Sequence, residues 1–321
     1  MLVEDYYKTE NLEKKATRDG FGDGLLDIGE KKEDVIALCA DLTNSTRLTG
    51  FKEKYPERFF EMGLAEQNMM SLAAGLALSG KISFVSTFAV FSPGLNWLQF
   101  RQSVAYNKAN VKVASSHAGI MTGEDGATHQ ALEDIALVRS IPNTTILVPC
   151  DYEQAVKATI KAAKTEGPVY IRLTRPSLPI FTKKESIFKI GEAEVLKLGK
   201  NVSLIGCGPI LYNGLLAAYE LEQEGISVEV INNHTVKPLD EDTILESCSK
   251  TKAVVTLEDH HKKGGLGSAI SEVLASNLPL PLKIMGIDDV WGESGSSKEL
   301  LKKHGLTVNH IKANIKELIR R

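Results

Sequence analysis

No apolar stretch in this sequence approaches the roughly 20 residues needed to span a bilayer, so a membrane-embedded chain is not expected. The opening residues, Met1 to Lys15, are polar and acidic, unlike a secretory leader. Cysteine is scarce, and Cys39, Cys150, Cys207 and Cys248 lie far apart, each in or beside an apolar run, with no Cys-x-x-Cys pair. They read as buried thiols in a reducing compartment, and the expected location is cytoplasmic. Positive charge is not in excess either: 38 Lys and Arg stand against 41 Asp and Glu, a net charge of −3. That leaves no broad basic field for nucleic acid or an anionic membrane, so any cationic site must be local. Internal repeats and low-complexity tracts are also absent.

What is present is an ordinary globular composition, 43% hydrophobic and 25% charged, over 321 residues, which predicts about two domains. The run Asp34 to Asp41 (DVIALCAD) is continuously apolar and ends in a carboxylate, as expected of a parallel strand buried on both faces. A helix is predicted over Gly63 to Ser79 and a strand over Ile82 to Phe88. Then come a helix from Leu95 to Tyr106, a strand from Val111 to Ser115, a Gly-rich loop, a helix from Leu132 to Arg139 and strands at Thr145 to Pro149 and Pro168 to Thr174. Asp151 is expected to cap the helix between those strands, with Gln154 completing a capping box. Such alternation predicts an α/β fold, a parallel sheet with helices on both faces and ligands at the carboxyl ends of the strands. Pro176, Pro179 and a charged run mark an interdomain connection, placing the domains at 1–183 and 184–321. The second is read as a smaller α/β unit, with strands at 202–206, 227–231 and 253–257 and helices at 212–224 and 266–275.

Several residues carry chemistry. Glu66 opens its helix, where a carboxylate suits the macrodipole whether or not it has a further use. Phe88 and Phe91, just past a strand end, are compatible with plain core or with a slot for a flat heterocycle that Glu66 would reach at its edge. The loop His117-Ala-Gly-Ile-Met-Thr-Gly-Glu-Asp-Gly-Ala-Thr-His129-Gln130 occupies the strand-to-helix position where α/β enzymes place functional groups. Its histidines titrate near neutrality and suit acid-base work on a polyhydroxy substrate, while the loop lacks a third close ligand at metal spacing. Arg18, Ser45 and Arg175 together are suited to clamping a phosphate. Gly22-Asp23-Gly24 matches the start of a diphosphate-binding motif, but it lies in a helix-like stretch before the first strand and reads as chance.

The stretch Gly63 to Phe91, the loop core Gly-Glu-Asp-Gly-Ala-Thr-His129 and Tyr170-Ile-Arg-Leu-Thr-Arg175 closely resemble the pyrimidine-binding domain of transketolases. His234-Thr-Val-Lys-Pro-Leu and Thr256-Leu-Glu-Asp-His-His-Lys-Lys-Gly-Gly265 resemble the transketolase C-terminal domain. Together they resemble the C-terminal subunit of a split transketolase. The resemblance implies thiamine diphosphate as cofactor, with Glu66 hydrogen-bonded to its aminopyrimidine so that the ring can act as a general base. It further implies Phe88 and Phe91 packed on that ring and Asp41 near the cofactor at the subunit interface. His117 and His129 would face the substrate, Asp125 would read a sugar hydroxyl, and Arg18, Ser45 and Arg175 would grip a sugar phosphate. The implied partner is an N-terminal subunit holding the diphosphate through Mg2+ or Ca2+, in a heterotetramer of two copies of each, with ketol transfer between sugar phosphates as the reaction. One departure stands out: many relatives carry tyrosine where this chain has Gly94. The alternatives are deoxyxylulose-phosphate synthase, a 2-oxoacid dehydrogenase beta subunit, or a non-catalytic regulatory subunit of the same fold.

Overall fold

Strands Val35–Cys39, Ile82–Phe88 and Val111–Ser116 are buried along their whole length and lie side by side, parallel, in a seven-stranded sheet. Burial on both faces is what their near-continuous apolar sequence requires. The computed structural model describes residues 1–320. Across the sheet the strands run 235–237, 145–147, 169–172, 111–116, 82–88, 35–39 and 59–61. Only Thr235–Lys237 is antiparallel, and it comes from the far half of the chain, so the second unit supplies an edge strand to the first sheet. A five-stranded sheet follows in the order 282–287, 254–261, 202–206, 228–232 and 194–197, the last strand antiparallel to its neighbour. Strands 194–197, 235–237 and 282–287, and helices Glu241–Thr251, Ser297–Lys303 and Val308–Ile319, had no counterpart in the sequence reading.

Two local expectations need correction. The helix expected from Leu95 runs from Trp97 through a π-helical stretch at Phe100–Tyr106, and the helical turn before it, Val90–Leu95, is broken at Ser92 (φ −136°, ψ 106°), next to Pro93. A proline cannot donate the regular helical bond and disfavours the helical conformation in the residue before it, which is where the chain kinks. Asp151 does cap helix Tyr152–Ala162 by accepting the Gln154 N–H at 2.9 Å, but the Gln154 side chain accepts from Cys150 N rather than closing the box on Asp151. The reason is that both Asp151 oxygens also serve Thr182 and Phe181, which draws the cap toward that segment.

Gly22-Asp23-Gly24 lies inside helix Thr17–Lys31. Gly20 and Gly24 let that helix cross Tyr152–Ala162 closely, since a Cβ would stand 2.4 Å from Tyr152 O at Gly20 and 2.8 Å from Val156 O at Gly24. Asp23 accepts the Tyr152 hydroxyl at 2.6 Å. The glycines therefore serve helix packing, and all four cysteines are free and buried.

Candidate active site

Asp41 follows strand 35–39, Phe88 closes strand 82–88, His117 follows strand 111–116 and Arg175 lies just beyond strand 169–172, all at the carboxyl edge of the first sheet. Glu66 is the first residue of helix Glu66–Leu78 and Arg18 the second of Thr17–Lys31. The latter helix is tied to the sheet where Thr17 Oγ1 accepts the Thr174 N–H at 2.7 Å, which brings Arg18 alongside Arg175.

Four rings cluster there. Phe88 and Phe91 are nearly parallel, with centroids 6.0 Å apart, and His117 stacks on Phe88 at 3.7 Å. His129 stands edge-on to Phe91 at 5.8 Å and to Phe88 at 6.1 Å. A third ring between Phe88 and Phe91 would need about 7 Å, two contact distances of about 3.5 Å. As they stand, the two rings leave no room for a third between them. Gly94 leaves the neighbouring wall open, where an added Cβ would meet only Ala89 O at 3.8 Å.

His117 is buried at φ +58°, and its pKa is pushed down to about 3 by burial and by the positive charges of Arg18 and Arg175. The ring is thus neutral at ordinary pH. Arg18 Nη1 approaches Nε2 at 3.5 Å and can only donate, so Nε2 is the acceptor and Nδ1–H donates to Ser116 Oγ at 2.9 Å. A neutral imidazole of this tautomer accepts a hydroxyl proton better than it supplies one.

The cations sit beside it. Arg18 Nη1 donates to the backbone oxygen of Ser45 at 3.0 Å, while Arg18 Nε is buried without a partner among the described residues. Burial and Arg47 push the Arg18 guanidinium below its ordinary pKa. Arg175 Nη1 donates to Thr122 O at 2.9 Å and Glu124 at 2.8 Å, and lies 3.7 Å from Asp125. The exposed Glu124 pairing is weak, so an arriving anion can take its place. Sequence reasoning missed Ser116, Arg47 and Glu124. Ser116 was discoverable as the neighbour of His117, whereas Arg47, bound to Asp19 at 2.6 Å, carried no signal of its own.

Glu66 is 6% exposed, and its carboxylate has no hydrogen-bond or ion-pair partner among the described residues. The stem of the residue is packed, while the carboxylate oxygens keep contact with solvent. Asn96 links it to the segment of Phe91, donating from Nδ2 to Glu66 O at 3.3 Å and from its backbone N to Phe91 O at 3.3 Å. Asp41 stands apart: it is exposed at φ +56°, its N–H bound to Glu61, and no hydrogen bond or ion pair joins it to the other predicted residues. Among the described residues no group of three or more His, Cys, Asp or Glu is arranged to hold a metal. No helix among them is long and apolar enough to cross a membrane.

Residues 13–180 match the family model "Transketolase, pyrimidine binding domain", and residues 191–311 match "Transketolase, C-terminal domain". The chain belongs to the transketolase family. Among similar proteins, a Methanocaldococcus jannaschii protein provisionally named a transketolase C-terminal section is 44% identical, covering 94% of this chain and 96% of that one. The 6-deoxy-6-sulfo-D-fructose transketolase subunit SqwH of a Clostridium species is 41% identical over 94% of this chain and 93% of its own. A solved structure titled as a split-gene transketolase, inactive beta4 tetramer, superposes with a TM-score of 0.88 at 42% identity, covering 96% of this chain and 99% of that one. Human transketolase is 37% identical, and this chain spans 49% of its length. The transketolase family implies thiamine diphosphate with a divalent metal. The residues present suit the ring end of that cofactor: a carboxylate without a partner among the described residues, joined through Asn96 to the segment that carries Phe91, and the nearly parallel rings of Phe88 and Phe91.

Proposed function

We propose that this chain is the C-terminal subunit of a split transketolase, transferring a two-carbon ketol unit from a ketose phosphate to an aldose phosphate with an N-terminal partner subunit. The observation that carries the proposal is Glu66, a largely buried residue at the start of a helix whose accessible carboxylate has no partner among the described residues and which is tied through Asn96 to the segment of Phe91. An unpaired carboxylate whose oxygens remain accessible can take a hydrogen bond or proton from a ligand that reaches it. When bound, thiamine diphosphate supplies the nucleophilic carbon that carries the two-carbon unit. Glu66 holds a proton at the edge of the aminopyrimidine, and Phe88 and Phe91 support the ring face. His117 Nε2 accepts from a sugar hydroxyl, while Asp125 and His129 bind other hydroxyls. Arg18, Arg175 and Ser45 hold the anionic end of the sugar. The partner holds the diphosphate and its Mg2+ or Ca2+, and Asp41 lies toward that subunit.

A docking face for the partner begins at Glu66. Leu64, just before helix Glu66–Leu78, Leu72 and Leu78 on it, and Leu95 and Leu98 in the helical segment 90–106 are exposed, and the two segments meet where Gln67 donates to Leu95 O at 3.3 Å. Exposed apolar area of this kind marks an interface. The likeness to a transketolase subunit acting on a sulfosugar supports a second reading of the substrate, since guanidinium groups bind sulfonate as they bind phosphate.

The test is reconstitution with the cognate N-terminal subunit, Mg2+ and thiamine diphosphate. Ketol transfer should appear only in the mixture, and Glu66→Ala should lower it by about 100-fold or more at unchanged fold, the scale of losing an acid-base group. Activity of the chain alone, or a near-normal Glu66→Ala rate, refutes the proposal.

A further inference from the structure

The loop carrying His117, Asp125 and His129 belongs to the first unit, but its shape is held from the second. Asp259, 3% exposed near the end of strand Val254–His261, accepts the Ile120 N–H at 2.8 Å through Oδ1 and the Met121 N–H at 3.3 Å through Oδ2. Its backbone oxygen accepts from Arg172 Nη2 at 2.8 Å, so the buried negative charge has a cation beside it. Just before these amides the chain turns at His117 (φ +58°) and Gly119 (φ +86°). A Cβ on Gly119 would stand 2.2 Å from Asp259 Oδ2, so the carboxylate fills the space a side chain would need. Successive N–H groups at such a kink form a nest for an anion, and Asp259 is the anion supplied by the chain itself. Two further ties come from the same unit: Ser297 Oγ donates to Met121 O at 2.8 Å, and Gln130 Nε2 donates to Glu293 O at 2.9 Å.

We propose that Asp259 is a positioning residue of the active site: by binding the Ile120 and Met121 amides it fixes the loop so that His117 seats on Phe88 and faces Arg18. The second unit thereby shapes the catalytic loop without touching the reacting atoms. The inference rests on the functional reading above for its catalytic consequence, but not for the anchoring itself. Thr122, whose hydroxyl donates to His117 O at 2.7 Å, passes the constraint from the anchored amides back to the histidine. An aspartate-to-asparagine change keeps the shape but turns one acceptor into an N–H that faces a backbone N–H.

The experiment compares wild type, Asp259→Asn, Asp259→Glu and Ser297→Ala. Hydrogen exchange and the NMR titration of His117 are followed in the isolated chain, and kcat and KM in the reconstituted enzyme. Asp259→Asn should accelerate exchange at Ile120 and Met121 by at least about 10-fold and move the His117 titration up toward its ordinary range near 6.5. It should lower kcat by about 10- to 100-fold while leaving cofactor binding within about 2-fold, because Glu66, Phe88 and Phe91 lie off the loop. Asp259→Glu should recover part of each change. If Asp259→Asn does not fold, Ser297→Ala must show the same changes in smaller measure. Wild-type exchange at both amides with an unmoved His117 titration in the folded variants overturns the proposal, as does loop release with unchanged kcat. A wild-type mixture without ketol transfer would instead sink the functional reading, and the exchange and titration arms would still decide the anchoring.

Discussion

Arg172 meets Asp134 through its Nε at 2.8 and 3.1 Å, with both side chains almost wholly buried, 3% and 1% exposed. Tyr170 adds its hydroxyl to the same carboxylate at 2.7 Å, and the other end of the guanidinium reaches Asp259 O. The pair therefore ties the end of one strand in the first sheet to the helix after the catalytic loop and to the second unit.

Removing one member of this pair leaves the other charged and unpaired in the interior. Arg172→Met should cost about 3–5 kcal/mol of stability, the range found when a buried ion pair loses one partner. The check is denaturant unfolding. A loss below about 1 kcal/mol would show that water already solvates Asp134.

Acid should weaken the fold through His234, whose pKa burial pushes down to about 4. Its folded pKa lies below the unfolded value near 6.5, so the unfolded chain takes up the proton first. The stability is complete above pH 6.5 and lost as pH falls toward 4, about 1.4 kcal/mol per pH unit. Glu258, pushed up to about 7 by burial, acts in the opposite direction between 7 and its unfolded value. Comparing wild type with His234→Gln cancels that term. Between pH 6.5 and 5 the wild type should lose about 2 kcal/mol more than the variant, by urea unfolding at each pH. Equal losses would mean that His234 is charged in the fold.

Asp23 and Gly24 separate a packing role from a diphosphate-binding one. Gly24→Ala should destabilise by about 1–3 kcal/mol, because the methyl group has no room at the helix crossing. Asp23→Ala loses one exposed hydrogen bond and should cost about 1 kcal/mol or less, with metal and cofactor affinity of the reconstituted enzyme unchanged. Loss of metal affinity in Asp23→Ala would restore the motif reading.

Leu72 is exposed on the helix that Glu66 opens. Leu72→Glu puts a charge where the proposed partner buries apolar area and should weaken subunit association by about 10-fold or more without lowering the melting temperature of the isolated chain. Association is read by analytical ultracentrifugation, and wild-type affinity would move the docking face elsewhere.

Sequence alone determined the alternation of strands and helices, the apolar central strands, the helix that Glu66 opens and the candidate residues at the strand ends. Those are local properties: the period of the apolar residues, the length of each run and the glycines that punctuate them are all read within about a dozen positions. Even there it left open whether Phe88 and Phe91 were plain core or lined a slot, because residue spacing fixes which side chains neighbour each other and not how far apart their planes lie.

Tertiary structure decided the rest. It placed strand 235–237 in a sheet built more than 60 residues earlier, aimed Asp259 at the amides of Ile120 and Met121, and set Arg172 against Asp134 and Arg47 beside Arg18. It also made His117 neutral, since its low pKa arises from burial and from arginines distant in the chain. None of these leaves a periodic trace, because hydrogen bonds and electrostatic fields act through space, and residues far apart in sequence become neighbours only when the two sheets have packed.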